Sequence, residues 1–337
     1  MSDPQIPDEP ERPARPRWRR VLVRSIPIVF YGLLAVSLAW ILTQIDWAQV
    51  ATISFDWWMV VFATVVALVS RFWLVTIWLV LLRRLGARHF TSIPLLAHAY
   101  AKAWLGRYIP GSAAWILGKI YFASREGVSK SKLAVSSFLE AGLQILVMLL
   151  VGIVLLMVDP RLDFVTPGIR ITMGIVAVGC VVALWPPLFN GLAKFAYRKV
   201  RKRELGDEDL PTWGAIGQGF WMFAVSTVLT GVSVFLLARS IHSDLDASQL
   251  LFIVAANALA SAVSMIAVFA PGGLGVREVI LIALLTLIMP ASVAVLVTLL
   301  IRVWSIAVDF VFVGVTKLLT LLRGEDTHLP DPPTPNR

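Results

Sequence analysis

Three features of the sequence predict an all-α polytopic membrane protein built as two inverted-topology repeats, with about six full spans and two re-entrant helical hairpins. First, 58% of the 337 residues are apolar, only 15% are charged, and the mean hydropathy is +0.79. A soluble domain carries closer to a quarter charged residues. Second, the apolar residues fall in runs of roughly 20, the length a helix needs to cross about 30 Å of hydrocarbon. Third, two of these runs are broken in mid-course by Pro-Gly, and Lys and Arg cluster in alternate loops.

Taken in order, residues 1–24 are Pro-rich and carry Arg12, Arg15, Arg17, Arg19, Arg20 and Arg24, which reads as a basic cytoplasmic tail. Ser25–Ile45 is long enough to span. Trp40 and Gln44 spoil a signal cleavage site, so it reads as a retained first helix. Further continuous spans read as Trp57–Leu82, Leu133–Val158, Ile169–Leu188, Trp213–Leu237 and Ser292–Thr316. Phe90–Ser124 is interrupted by Gly106-Arg107-Tyr108-Ile109-Pro110-Gly111, and Ser248–Met289 by Ala270-Pro271-Gly272-Gly273-Leu274-Gly275. The last residues, 318–337, end in PDPPTPNR and read as a disordered cytoplasmic tail.

Charge decides how the broken stretches run, because loops rich in Lys and Arg stay inside. Arg83, Arg84 and Arg88 precede the first stretch, and Arg125, Lys130 and Lys132 follow it, so it enters and returns on the inner face. The strongest cluster, Lys194, Arg198, Lys199, Arg201, Lys202 and Arg203, also falls inside, as do Lys317 and Arg323. Ser248–Met289 must then start and finish outside. The first repeat is 25–158 with its hairpin at 90–124, and the second, inverted, is 159–317 with its hairpin at 248–289. Both termini are cytoplasmic, in a bacterial-type cytoplasmic (inner) membrane. Inverted repeats with broken helices at the midplane point to alternating-access transport. Short interfacial helices with proline kinks are the alternative to hairpins.

The net charge of +9 sits mostly in loops beside apolar runs, which points to anionic lipid headgroups and away from nucleic acid. Cys180 is the single cysteine, so there is no disulfide framework or thiolate metal cluster. No HExxH, GxxxxGK[ST] or GxSxG occurs, and no cofactor or metal is implied. His89, His98, His242 and His328 are scattered, His98 reading as a satisfied helix residue. Asp207-Glu208-Asp209 and Asp244-Leu245-Asp246 match the D-x-D of metal-dependent glycosyltransferases, a match short acidic loops make often by chance. Trp57, Trp58, Trp104 and Trp213 lie near span ends and read as an aromatic belt.

Residues 106–127, GRYIPGSAAWILGKIYFASREG, and 270–278, APGGLGVRE, resemble the two signature stretches of the lysylphosphatidylglycerol synthase transmembrane-region family, the flippase-like membrane domain, here without the synthase. The resemblance covers roughly Val21 to Leu322. It implies lipid translocation or a lipid-linked role. The span after the first hairpin often carries Glu-Arg in that family, whereas this chain has Glu140-Ala141, so no role of that arginine carries over.

Candidate substrate-binding residues follow from the breaks. Pro110 and Gly111 turn the first hairpin, and Pro271, Gly272, Gly273 and Gly275 turn the second. Broken backbone at membrane depth is tolerated only against protein or a wet cavity. The half-helix after Gly275 aims its positive end at the turn, which favours an anion or the first-turn Glu278. Arg277 either grips a headgroup phosphate or belongs to an ion pair. Arg107 and Lys119 join it as cationic lining, although Lys119, like Lys102, can also snorkel to the surface. Arg71, Glu140, Arg302 and Asp309 lie inside spans, where ionisable groups mark function by default. Glu140 and Arg302 occupy near-equivalent places in the two repeats, which allows a pair between them. The set is mostly cationic and points to an anionic substrate. Lipid flipping or scrambling is therefore expected. The alternatives are a membrane-embedded transferase for a lipid-linked sugar or amino acid, and a non-catalytic membrane partner of a lipid-modifying synthase.

Overall fold

Every regular element among the described residues is helical. The computed structural model describes residues 55–87, 92–108, 114–124, 128–163, 165–201, 206, 210–267 and 275–324. These belong to Ile45–Arg337, one of two units into which the chain divides, the other being Met1–Gln44. The basic tail, the Ser25–Ile45 span, the tail from 325 onward, Asp207–Asp209 and the motif residues Pro110, Gly111, Pro271, Gly272 and Gly273 lie outside the described residues.

Four long helices form the frame. They are α1 (Trp57–Arg84), α4 (Lys130–Val158), α7 (Trp213–Arg239) and α10 (Ala291–Leu322), with α2 (Ile93–Trp104), α3 (Ala114–Ala123), α5 (Pro167–Ala183), α6 (Pro186–Arg201), α8 (Leu250–Ile266) and α9 (Val276–Leu285) between them. The four contain 28, 29, 27 and 32 residues, each enough to cross a bilayer. Side-chain caps start several of them. Asp56 accepts from the amides of Trp58 and Met59 at the head of α1, and Thr212 from that of Ala215 at the head of α7. The chain is a multi-pass membrane protein, with helices apolar enough to span and large apolar side chains facing outward along α5 at Ile171, Ile175 and Val178.

Cross-links fix the direction of each helix. At one end of the α1–α7 pair the Asp56 amide donates to Ser240 O, and at the other Arg84 donates to Gln218, so the two run antiparallel along their length. Gly231 lets α8 approach α7 closely: a Cβ there would stand 2.7 Å from the Cα of Val254 on α8. Trp304 donates to Thr64 and Arg71 to Asp309, so α10 runs parallel to α1.

The same links show where the broken stretches begin and end. Lys132, at the head of α4, donates to Gly86 O at 3.0 Å, just past the end of α1. The chain that leaves at Gly86 is thus back at the same end by Lys132, and α2 and α3 form a hairpin between. They have 12 and 10 residues, roughly 18 and 15 Å, too short to cross singly. At the opposite end Arg161, after α4, donates to Ser248 ahead of α8. The second stretch starts there, and α10, parallel to α1, sets out again from that end. Its legs are unequal: Ala247–Ile266 is long enough to span, whereas α9 has 10 residues. Span, hairpin and span therefore recur with opposite sense, consistent with two inverted copies.

One expected span is corrected. Ile169–Leu188 is not continuous: α5 ends at Ala183, and the next helix leaves at 84°. Pro186 and Pro187 are the cause, since proline removes an amide donor and clashes with the preceding turn. The α6 helix carries Lys194 and Arg198 on an exposed side and buries Phe189 and Tyr197. Two apolar clusters hold the bundle, one around α2 and α3 with Trp78, Leu96, Leu139 and Phe223, the other around α8 and α9 with Phe252, Leu281, Val297 and Ile301.

Candidate functional site: an arginine-lined cavity

A cavity of about 340 Å³ lies among α1, α4, α7, α8, α9 and α10, and it receives side chains that flank both apolar clusters. Arg71, Arg107, Arg277 and Arg302 all line it, and among the described residues no Asp or Glu does. The sequence suggested these four arginines together with Lys119 as the lining of one site, and Lys119 does not line the cavity. The fold brings the four arginines to one wall, from α1, from the 3₁₀ turn Leu105–Tyr108 after α2, from α9 and from α10.

Each guanidinium is held differently. Arg71 donates through Nε to Asp309 Oδ1 at 2.8 Å. Asp309, buried on α10, also accepts from Trp104 Nε1 at 3.2 Å and from the Tyr108 hydroxyl at 2.6 Å. One carboxylate thus fastens the end of α2 and its 3₁₀ turn to α1 and α10. Arg302 lies 3.6 Å from Glu278, an ion pair longer than a hydrogen bond. Arg277 donates to Asn257 at 3.0 Å and to Ser261 at 3.4 Å, both on α8. Arg107 lies over the Trp104 ring, 4.7 Å from its centre, where the ring's negative face attracts it.

The Glu140–Arg302 pair that the repeat positions allow is not formed. Glu140 instead pairs with Lys119 on α3 and accepts from the Tyr100 hydroxyl at 2.7 Å, all in the first half of the molecule. Lys119 neither snorkels nor lines the cavity: it is fully buried in a box of aromatic rings, 4.2 Å from Tyr100 and 4.4 Å from Trp115. The reason is geometric. The return leg of each hairpin packs on the next long helix of its own half, so Lys119 meets Glu140 just as Glu278 meets Arg302.

Gly275 heads α9 at φ +89°, a conformation that favours glycine. Its amide donates to Glu278 at 2.8 Å, so the helix's own carboxylate engages the positive end there. Asp246 caps the 3₁₀ turn Ala247–Gln249 that leads into α8, accepting from the Ser248 amide while its own amide donates to Gln249, which makes the second D-x-D a turn cap. His98 bonds Thr316 through Nδ1. Trp57, Trp58 and Trp213 are exposed at helix ends as a belt requires, but Trp104 is only 8% exposed and belongs to the site.

Sequence reasoning missed the polar floor. Ser226, Thr230 and Ser233 on α7, and Asn257, Ser261 and Ser264 on α8, line the cavity at matching intervals. A polar residue recurring at i, i+4 and i+7 on an otherwise apolar helix was the available signal.

Residues 25–312 match the family model described as "Lysylphosphatidylglycerol synthase TM region". The chain belongs to that family. No curated protein sequence matches it. Membership makes this a lipid-related membrane protein, as the signature stretches led one to expect. In this member of the synthase TM-region family the position next to Glu140 is Ala141, which lines the cavity. A small apolar side chain thus stands on the cavity wall next to Glu140.

Proposed function

We propose that this protein moves an anionic lipid, a phospholipid or a lipid-linked intermediate, across the cytoplasmic membrane as a flippase or scramblase-like transporter. The observation that carries the reading is the cavity wall: four arginines and no carboxylate among the described lining residues. Buried charge is costly unless matched, so such a wall favours an anionic guest. Its volume of about 340 Å³ falls within the range of small-ligand sites, enough for a headgroup while acyl tails stay in the bilayer. Seryl, threonyl and amide groups on α7 and α8 replace the water a headgroup gives up on entry.

Hairpins that enter from opposite ends give the two halves a way to rock about the cavity, exposing it first to one face and then to the other. Orientation follows from charge. Arg83, Arg84 and Lys132 gather at one end of the frame, which we take as cytoplasmic with both termini. Headgroup accessibility in proteoliposomes tests the reading. With purified protein, a labelled phosphatidylglycerol should reach the outer leaflet faster than in protein-free vesicles, and a labelled neutral diacylglycerol analogue should gain nothing from the protein. Equal rates with and without protein for every anionic lipid would overturn it.

A further inference from the structure

We infer that the preferred headgroup is a phosphate dianion, a terminal phosphomonoester, held between Arg107 and Arg277; this rests on the reading that the cavity takes a headgroup. The charge count leads there. Of the four cavity arginines, Arg71 is matched by Asp309 and Arg302 by Glu278. Among the described residues Arg107 and Arg277 have no carboxylate partner; their contacts are the Trp104 and Tyr108 rings for one and the neutral Asn257 and Ser261 for the other. The chain between Tyr108 and Ala114 is Ile-Pro-Gly-Ser-Ala, and that between Ala267 and Gly275 is Val-Phe-Ala-Pro-Gly-Gly-Leu, so neither connection supplies an acid. Among the described residues and these two connections, four cavity arginines therefore meet two carboxylates, Asp309 and Glu278, which leaves two positive charges in excess.

A phosphodiester headgroup brings one negative charge and two free oxygens. A phosphomonoester brings close to two charges and three acceptor oxygens, which two planar guanidinium forks can hold at once. The two arginines come from opposite halves, Arg107 beside the first hairpin's turn and Arg277 at the head of the second hairpin's return leg. A dianion between them neutralises both charges and ties the halves together. Asn257 and Ser261 keep the Arg277 guanidinium aimed without neutralising it.

The test is equilibrium binding to the purified full chain of dioctanoyl phosphatidic acid, dioctanoyl phosphatidylglycerol and glycerol 3-phosphate. Phosphatidic acid should bind at least about tenfold more tightly than phosphatidylglycerol at pH 8, since it makes additional charge-assisted hydrogen bonds. The preference should shrink at pH 5, because the second phosphate proton returns near pH ~6. Arg107→Gln and Arg277→Gln should each erase most of the preference. Where either variant fails to fold, the comparison of lipids and the pH series on the native chain decide alone. Equal affinity for the two lipids would overturn the dianion while leaving an anionic-lipid site. Binding of neither lipid would sink both readings. Glycerol 3-phosphate bound as tightly as phosphatidic acid would keep the dianion and remove the lipid.

Discussion

Arg71 and Asp309 join α1 to α10 through a buried 2.8 Å ion pair, and the same carboxylate holds Trp104 and Tyr108 beside the cavity. Removing one partner leaves the other charge stranded in the bilayer, where soluble-protein precedent puts the cost at about 3–5 kcal/mol. Asp309→Asn and Arg71→Met should each lower the thermal stability of the detergent-purified protein sharply. The double variant should lose less than their sum. Additive losses in that cycle would show that the pair does not carry this coupling.

A second cycle separates the observed pairing from the one that repeat symmetry allows. Glu140→Gln and Lys119→Met should be strongly coupled, since both sit fully buried and, among the described residues, form an ion pair with each other alone. Glu140→Gln and Arg302→Gln should be nearly additive, within about 0.5 kcal/mol. The reverse pattern in unfolding measurements would return Arg302 to Glu140.

Cysteine labelling checks the directions of the hairpins. In a Cys180→Ala background, Ile93→Cys and Ser129→Cys, exposed near the start of α2 and before α4, should react with a membrane-impermeant thiol reagent from one face. Ser243→Cys, exposed between α7 and α8, should react only from the other. Labelling of Ile93→Cys and Ser129→Cys from opposite faces would replace the first hairpin by a crossing.

The frame was legible because its physics is local. Runs of about 20 apolar residues and one-sided basic loops mark spans and sense without any tertiary contact. The Pro-Gly breaks marked where α2 and α3, and α8 and α9, divide in the chain, although they did not reveal that Ala247–Ile266 is long enough to span by itself. The 84° break after α5 was also written in the chain, as Trp185-Pro186-Pro187, but hydropathy averages across such a pair. The four arginines stood out because a guanidinium at membrane depth is rare. Their partners did not, since which carboxylate meets which base depends on how a return leg lies on the next helix. Trp104 looked like a belt residue for the same reason: its place at a helix end is visible in sequence, its hydrogen bond to Asp309 is not.

Filling the cavity should block transport without unfolding the protein. Ala141 lines the wall on α4, and Phe in its place should slow lipid movement several-fold while thermal stability holds. Unchanged transport by a folded Ala141→Phe would place the lipid path elsewhere.

The most direct measurement is headgroup accessibility in proteoliposomes with Arg277 varied. The native protein and Lys130→Ala, which removes an exposed charge at the head of α4, should move labelled phosphatidylglycerol at the same rate. Arg277→Lys keeps the charge but loses the planar fork, and it should be slower by about tenfold. Arg277→Ala should approach the protein-free rate while remaining folded and monodisperse. Native rates in a folded Arg277→Ala protein would contradict the arginine-lined cavity as the route.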